Sequence, residues 1–307
     1  MESFLVAVNA VIPFFCYLAL GYTMKIRGVV KEEFLQKLNQ MVFRVFYPFM
    51  TFYNIYKADA ESLPRPLLLI FTGASILIVI IPKIVKENPR RGVIIQAIFR
   101  SNFVLFGLPL TIAVFGDSAA SIAAMMVTVV VSIYNTTSVF ILEMFNGEGK
   151  SDIKKTLKAV VANPLLQGAI VGLIFFFLGI KLPGSLVTPI AAFSNMTSPL
   201  AIYVLGGTLQ FKAIRKNLKY LVPTLTCKLF ILPAIIIAIA YTFGLRGLEL
   251  FLLIAVYATP VAAASYPMAQ NMGGDGELAG QFVVISTAVS MFTLFLWIFF
   301  MKSVGLI

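Results

Sequence analysis

Long apolar runs set the first limit on what this chain can fold into. A helix needs about 20 apolar residues to cross the hydrocarbon core of a bilayer. Charged residues make up only 12% of the chain, whereas a soluble domain carries about 25%. The pattern predicts an all-α polytopic membrane protein with ten transmembrane helices. These predicted spans lie at about residues 4–24, 36–57, 66–85, 92–115, 118–144, 157–180, 185–210, 218–243, 247–270 and 279–302.

Basic residues in the connecting loops predict the orientation of the chain. The loops after the odd-numbered spans are rich in Lys and Arg, and the positive-inside rule assigns such loops to the cytoplasm. They hold Lys25, Arg27, Lys31, Lys37, Lys83, Lys86, Arg90, Arg91, Lys150, Lys154, Lys155, Lys158, Lys212, Arg215, Lys216 and Lys219. The opposite loops hold Lys57, Arg65, Lys181, Arg246 and Lys302. We therefore expect a multi-pass protein of the cell membrane with both termini outside. The same loops explain the net charge of +11, so that we expect no nucleic-acid partner.

The residue types inside the spans argue against an enzyme. The chain has no histidine, and its two cysteines, Cys16 and Cys227, lie far apart in apolar runs. No Asp or Glu falls near the middle of a predicted span. A metal centre, a nucleophile–base pair or a pair of catalytic carboxylates therefore lacks the residues it needs. We expect no cofactor and no metal, and a proton relay built from carboxylates is not visible.

Prolines and glycines recur at a constant spacing in the two halves of the chain. Three pairs are 151 residues apart, namely Pro13 and Pro164, Gly21 and Gly172, and Pro48 and Pro199. The Gly-Asp pair that ends span four at Gly116 recurs at Gly274, at the end of span nine. The spacing predicts two five-helix repeats, residues 1–149 and 150–307. Since five is odd, the second repeat must be inverted in the membrane, which is a transporter architecture.

Spans four and nine each combine polar residues and helix breakers within a short stretch. The stretch from Phe99 to Leu110 holds Arg100, Ser101 and Asn102, followed by Gly107 and Pro109. Arg at the centre of a spanning helix costs roughly 2.5–3.5 kcal/mol, and Pro removes a backbone donor. Such a segment is stable where protein or trapped water surrounds it.

The counterpart in span nine runs from Thr259 to Pro267, with Pro260 aligned to Ser101. We predict that both spans are broken helices and that they cross near the bilayer midplane. The helix-breaking residues are expected to be Gly107, Pro109, Pro260 and Pro267. The alignment of the halves puts the centre of the first break at Ser101-Asn102.

The crossover residues also carry a family resemblance. Asn102 followed by Gly107-Leu108-Pro109-Leu110 resembles the "N…GxPL" pattern of the auxin efflux carrier family, and the Pro260 stretch looks like the second crossover of that family. Ser286–Ser290 with Leu294–Trp297 is similar to its last-helix motif. The chain departs from plant relatives at Ser101, where they have proline, and in its short loop from Asn146 to Thr156. Auxin itself is therefore not the expected substrate.

The resemblance implies a fold in which helices four and nine cross, a fold shared with the bile acid/sodium symporters. It implies a scaffold domain from helices one, two, six and seven. It also implies a transport domain from helices three to five and eight to ten, which moves like an elevator.

Broken helices expose N–H groups that bind anions and carbonyls that bind cations. Asn102 would donate to a substrate carboxylate there, or else satisfy the freed backbone. Arg100 and Lys228 would meet an anionic substrate, or else pair with backbone carbonyls or snorkel to the membrane surface. The candidate substrate-binding residues are Arg100, Ser101, Asn102, Thr259, Pro260, Val261, Ser265, Lys228, Thr51, Asn54 and Tyr203.

The sequence thus predicts a secondary active or facilitative transporter that exports a small organic anion such as a carboxylate. A sodium-coupled symporter and an anion channel are the alternatives. Hydroxyls and amides that could hold Na+ also pack membrane helices; they are Asn135, Thr136, Thr137, Ser286, Thr287 and Ser290. The substrate, the direction, the coupling ion (Na+, H+ or none) and the oligomeric state, a homodimer included, stay open at this point.

Overall fold

The computed structural model describes residues 2–58, 65–79, 88–145, 158, 161–209 and 211–307. Side chains are described from residue 12 onward, apart from those of residues 68, 75–79, 88, 117 and 211–213. Several loop residues used to predict the orientation lie outside the described residues, as do the short loop 146–156 and the end of predicted span three. These loop residues are Lys83, Lys86, Lys150, Lys154 and Lys155, together with the side chain of Lys212.

The described residues form helices and connecting turns. The first half contains α1 (Glu2–Ile26), α2 (Glu32–Met41), α3 (Tyr47–Tyr56), α4 (Pro66–Val79), α5 (Asn88–Phe99), α6 (Leu108–Phe115) and α7 (Ala120–Met144). The second half contains α8 (Pro164–Leu178), α9 (Gly184–Thr208), α10 (Phe211–Thr226), α11 (Leu232–Thr242), α12 (Gly247–Tyr257), α13 (Ser265–Asn271) and α14 (Gly276–Ser303). The prediction of an all-α protein is confirmed for this part of the chain.

Three helical stretches in the described residues are long and apolar enough to cross a membrane by length and composition alone. They are Ala120–Met144, Ile214–Thr242 and Gly276–Ser303. Several predicted spans are divided into shorter helices, so that length by itself no longer marks them. The arrangement of ten spans in two inverted repeats stays a prediction.

Polar and apolar side chains are distributed as expected for a protein whose solvent is lipid. Large apolar side chains point outward, among them Phe177, which is 78% exposed, and Phe292, which is 62% exposed. In contrast, Arg100, Lys228 and Gln281 are buried. Charged groups inside a membrane protein are expensive and normally face the bundle interior or a cavity. The buried cations therefore mark the part of the interior where function is to be sought.

Local sequence signals account for several helix ends. The side chain of Asn163 caps α8 by accepting a hydrogen bond from the N–H of Leu165 at 3.0 Å, and Pro164 occupies the first helical position. Asp275 caps α14 in the same way, accepting from the N–H of Leu278 at 3.0 Å. Asn and Asp are preferred caps because their oxygens satisfy amides that a helix start leaves free.

Three helices each contain one turn that is wider than an α-helical turn. A π-helical turn occupies Val42–Phe46, Phe103–Gly107 and Cys227–Ile231. Each is followed by a helix with proline in its first turn, at Pro48, Pro109 and Pro233 respectively. Proline cannot donate to the preceding turn, and the widened turn absorbs the missing hydrogen bond while the helix continues.

The structure differs from the sequence prediction at three of the four helix-breaking residues. Gly107 ends the π turn and Pro109 lies in the first turn of α6, while Pro267 lies inside α13. Only Pro260 falls in an unwound segment. A methyl group at Gly107 would meet Phe103 at 2.5 Å and the carbonyl of Ala255 at 3.1 Å. Gly107 therefore permits close packing on α12, and Pro109 shapes the turn without breaking the helix.

Close packing at glycines joins α1 to α9 and α3 to α8. Gly21 lies against the carbonyl of Tyr203, and Gly172 lies against the carbonyl of Phe52. Gly172 and Tyr203 follow Gly21 and Phe52, respectively, by the 151 residues that separate the sequence landmarks. Thr197 donates to the carbonyl of Phe46 at 3.1 Å, again across 151 residues. Reciprocal contacts of this kind are what a two-fold relation between the halves requires, and they support the predicted inverted repeat.

Candidate functional site

Two unwound segments meet side by side between helices α5 and α12. Residues 100–102 separate α5 from the π turn at Phe103, and residues 258–264 separate α12 from α13. Ser101 and Val261 form an antiparallel bridge, and the N–H of Asn102 donates to the carbonyl of Pro260 at 2.7 Å. The centre of the first break therefore lies at Ser101-Asn102, as the alignment of the halves predicted. Buried backbone groups freed by unwinding thus find partners on the other segment, as they must away from water.

Ser286 on α14 supports the same junction. Its hydroxyl accepts a hydrogen bond from the N–H of Val261 at 2.9 Å and donates to the carbonyl of Val283 at 3.2 Å. Proline at position 260 has no N–H of its own, so its carbonyl is the group that pairs with Asn102. Pro260 and Val261 therefore hold the two unwound segments together through their backbone atoms.

Arg100 is buried beside this junction and points towards α7. Its exposed fraction is 4%, and its guanidinium donates to Asn135 Oδ1 at 2.8 Å and to Ser138 Oγ at 2.9 Å. Weaker contacts reach the carbonyl of Tyr134 at 3.4 Å and the sulfur of Met268 at 3.0 Å. Arg100 therefore does not snorkel. Its Nε–H has no partner among the described residues.

Lys228 is a second buried cation, in the π turn between α10 and α11. Its side chain is fully buried, and its Nζ hydrogen-bonds to the hydroxyl of Ser101. Lys228 approaches the junction from the side of α10 and α11. It contacts a residue of the junction and is not among the residues that line the cavities described next.

A small cavity, the crossover cavity, lies in front of the junction. Its volume is about 40 Å³. The atoms that line it come from both unwound segments and from α3, α7 and α9. Its lining residues are Tyr47, Met50, Thr51, Arg100, Ser101, Asn102, Phe103, Val104, Val131, Tyr134, Asn135, Ser198, Ala262, Ala263 and Ala264. The amide nitrogen of Asn102, like Nε of Arg100, is buried and has no partner in the described part of the chain.

A larger cavity, the vestibule, adjoins the crossover cavity and shares Met50, Val104 and Ser198 with it. Its volume is about 640 Å³. Its remaining lining residues are Pro13, Phe14, Tyr17, Asn54, Lys57, Leu105, Pro109, Ser194, Asn195, Pro199 and Ile202. Lys57 belongs to the side predicted to be extracellular. The vestibule therefore lies between the crossover cavity and that side of the molecule.

The candidate substrate-binding residues divide into three groups in the structure. Arg100, Ser101, Asn102 and Thr51 line the crossover cavity, and Asn54 lines the vestibule. Pro260 and Val261 belong to the junction itself, and Lys228 bonds to the junction residue Ser101; none of these three residues lines either cavity. Thr259 donates to the carbonyl of Ala255 at 2.7 Å, Ser265 is buried, and half-buried Tyr203 contributes its carbonyl to the contact with Gly21. Thr259, Ser265 and Tyr203 line neither cavity.

Most of the candidate sodium ligands have other partners. Asn135 holds Arg100, Ser286 holds Val261, and Thr136 is exposed. Thr287 donates to the carbonyl of Val283 at 2.7 Å and Ser290 to that of Thr287 at 2.9 Å, while Thr137 is buried. Hydroxyls that bond their own helix backbone are common in membrane helices. A sodium site at these residues stays a prediction.

Sequence reasoning missed Tyr134 and Ser138. Both lie on the face of α7 that turns towards Arg100, and Tyr134 also donates to the carbonyl of Val256 at 2.8 Å. A polar pair four residues apart occupies one face of a helix. That spacing, on either side of Asn135 in the polar stretch from Ser132 to Ser138, was the available signal.

Comparison with known proteins agrees with this geometry. A family model described as a membrane transport protein matches residues 6–298. The chain belongs to this family. The family resemblance drawn from the crossover residues is thereby confirmed, and the protein is a multi-pass membrane transporter.

Two relatives match along nearly their whole length. An uncharacterized transporter of Methanothermobacter thermautotrophicus is 24% identical over 301 residues, which cover 96% of this chain and 98% of the relative. A second uncharacterized transporter, from Methanocaldococcus jannaschii, is 24% identical over 293 residues, covering 91% and 93% respectively. Membership in a transporter family favours the transporter hypothesis over an intramembrane enzyme.

Proposed function

We propose that this protein carries small organic anions across the membrane, with the carboxylate group in the crossover cavity. The observation behind the proposal is that Nε–H of Arg100 and the side-chain N–H groups of Asn102 line one cavity without described partners. A buried donor left unpaired costs about 1–3 kcal/mol. A carboxylate has two oxygens that accept such bonds, and its charge strengthens them.

The sizes of the two cavities favour a particular kind of anion. The crossover cavity of about 40 Å³ accommodates one small polar group, since a water molecule needs about 10–15 Å³ on this measure. The vestibule is much larger and is partly lined by Phe14, Leu105, Pro199 and Ile202. We propose a monocarboxylate whose apolar body extends from the crossover cavity into the vestibule.

Alternating access of the elevator type is the mechanism we propose for this carrier. In it, helices of spans one, two, six and seven form the scaffold, and those of spans three to five and eight to ten move. The glycine contacts that join α1 to α9 and α3 to α8 support a rigid scaffold. The described hydrogen-bond partners of Arg100 and Lys228 all lie on the proposed moving helices or unwound segments. The substrate-binding groups would therefore travel together.

The direction of net transport follows the gradients. Export is the direction expected for an acid that accumulates in the cell. The sodium-coupled alternative rests on the hydroxyl and amide residues already described. The channel alternative is distinguished from a carrier by flux that does not saturate.

The proposal is tested by counterflow in proteoliposomes with a panel of labelled acids, including lactate, malate and phenylpyruvate. Asn102→Ala and Arg100→Gln should each reduce substrate affinity about 10- to 150-fold, since a hydrogen bond to a charged group contributes about 1.5–3 kcal/mol. Arg44→Gln is the matched control, because Arg44 is an exposed arginine in span two. Wild-type affinity in Asn102→Ala would contradict the proposed site, and no counterflow with any acid would contradict the proposed substrate class.

A further inference from the structure

Lys228 is a buried amine with a single polar contact in the described residues. Its Nζ bonds to the hydroxyl of Ser101, and none of the described ion pairs includes it. Removing an ammonium group from water without a counter-charge costs several kcal/mol. A nearby anion therefore strongly stabilises the protonated form of Lys228. Without an anion, the neutral amine is favoured.

The elements around Lys228 supply no described carboxylate in contact with it. In its own turn the neighbouring titratable group is Cys227. Helix α5 carries Arg90 and Arg91 at its far end, and Arg100 directs its guanidinium to α7. Helix α14 faces the turn with neutral side chains and carries its charges, Glu277 and Lys302, at its two ends.

The other titratable groups on the helices that surround this lysine are either engaged or distant from it. Tyr134 on α7 donates its proton to the carbonyl of Val256. On the helix that contains Lys228, α10 and α11 carry Lys212, Arg215, Lys216, Lys219, Tyr220 and Tyr241, each at least eight residues from it. The nearest place for a counter-charge is therefore the crossover cavity, on the other side of Ser101.

Ser101 connects the amine to that cavity. A serine hydroxyl has one proton to donate and can accept two hydrogen bonds, whereas an ammonium group can only donate. When Lys228 is protonated, Ser101 must accept from it, and the hydroxyl proton is then available to the hydroxyl of Tyr134, with which Ser101 also hydrogen-bonds, or to a group inside the crossover cavity that both residues line. When Lys228 is neutral, its lone pair accepts that proton, and the cavity loses a donor along with the positive charge.

We propose that Lys228 carries a proton that crosses the membrane together with the anion. The inference rests on the proposed function. The proton comes from water in the cavity, bonds to the lone pair of Nζ by way of the Ser101 hydroxyl, and returns to water on the other side. One proton moves with one monoanion, so that the net charge moved is zero. Proton and anion favour each other's binding equally, because coupling between two sites is reciprocal.

The test uses the purified full chain in proteoliposomes with labelled phenylpyruvate, and protein-free liposomes as the leak control. A pH gradient of about 1.5 units, acid on the side of the label, should accumulate the anion up to about 30-fold at one proton per anion. Accumulation at steady state depends on coupling and not on rate. Lys228→Gln should therefore equilibrate the label to a ratio of about one, even where its counterflow is slow.

Lys219→Gln is the matched control, because Lys219 is an exposed lysine on the same helix. It should retain full accumulation. Lys228→Gln that still accumulates the anion about 30-fold would overturn the proposal. A potential imposed across the wild-type liposomes should leave the initial uptake rate unchanged, and a rate that follows the potential would also overturn it. Counterflow without pH-driven accumulation in the wild type rejects proton coupling alone, whereas the absence of counterflow rejects both proposals.

Discussion

At the scale of single residues, the two buried cations differ in how they are held. Arg100 is tied to α7 through Asn135 and Ser138, and Nε is the guanidinium nitrogen that has no partner among the described residues. Lys228 has one described hydrogen bond, with Ser101. Arginine suits a fixed position because its planar donors are preorganised, whereas lysine changes its protonation state readily when buried. The difference is consistent with a binding role for Arg100 and a coupling role for Lys228.

Removing the amide that holds Arg100 should destabilise the fold. Asn135→Leu leaves a charged N–H of Arg100 without its partner at 2.8 Å. We expect a loss of about 1.5–3 kcal/mol in the free energy of unfolding, measured by chemical denaturation in detergent. Thr136→Val is the control, because the neighbouring Thr136 is exposed, and its effect should be within about 0.5 kcal/mol. Equal stability of the two variants would show that Asn135 does not anchor Arg100.

At the scale of elements, the helices near the site are shaped by where they unwind and where they only widen. The unwound segments pair with each other through Ser101, Asn102, Pro260 and Val261. The widened turns come before Pro48, Pro109 and Pro233, and one of them carries Lys228. A π turn changes the direction of the side chains around it and often occurs at functional sites.

Packing between α1 and α9 should be sensitive to a single methyl group. A Cβ at Gly206 would overlap the backbone of Leu18, which cannot move aside as a flexible side chain would. Gly206→Ala should therefore cost about 1–3 kcal/mol of stability through overpacking. Gly184→Ala is the matched control at the other end of α9, where a methyl group meets nothing within 4 Å. Thermal unfolding that shows the same midpoint for both variants would argue against this close contact.

At the scale of the whole molecule, the vestibule adjoins the crossover cavity and is lined by Lys57 on one side of the molecule, and a polar contact joins two helices on the opposite side. Tyr266 and Thr208 share a hydrogen bond of 2.7 Å between α13 and α9. In the proposed mechanism this contact joins the moving helices to the scaffold on the predicted cytoplasmic side. Within the proposed mechanism, we assign this arrangement to a state that is open towards the predicted extracellular side.

Elevator motion predicts a difference between two residues of the vestibule. Val104 belongs to the proposed moving helices and Asn54 to the scaffold. With Cys16 and Cys227 replaced by alanine, Val104→Cys should react with a membrane-impermeant thiol reagent from both sides of sealed vesicles. Asn54→Cys should react from the side of Lys57 alone. Reaction of Val104→Cys from one side alone, during active counterflow, would contradict the elevator mechanism.

The sequence by itself determined the membrane location, the helical class and the junction near Ser101-Asn102. These follow from local properties: the length of apolar runs, and the cost of placing Arg100 and helix breakers in hydrocarbon. The alignment of Ser101 with Pro260 matches the pairing in the structure, where Ser101 bridges Val261 and Asn102 bonds to Pro260. A repeat in the sequence carries long-range information that single spans lack.

The tertiary structure alone decided which partners each polar residue has. Pro109 and Pro267 read as helix breakers, yet both residues stay helical. A widened turn precedes Pro109, and Pro267 lies in the first turn of α13, where an N–H group has no partner within the helix. Asn135 read as an ion ligand, but the guanidinium of Arg100 occupies its oxygen. From the sequence, Lys228 could contact the substrate, pair with backbone carbonyls or snorkel to the membrane surface, and the structure shows it buried and bonded to Ser101. Hydrogen-bond partners far apart in sequence fix such roles, because a buried polar group must be satisfied by whichever groups the fold brings near it.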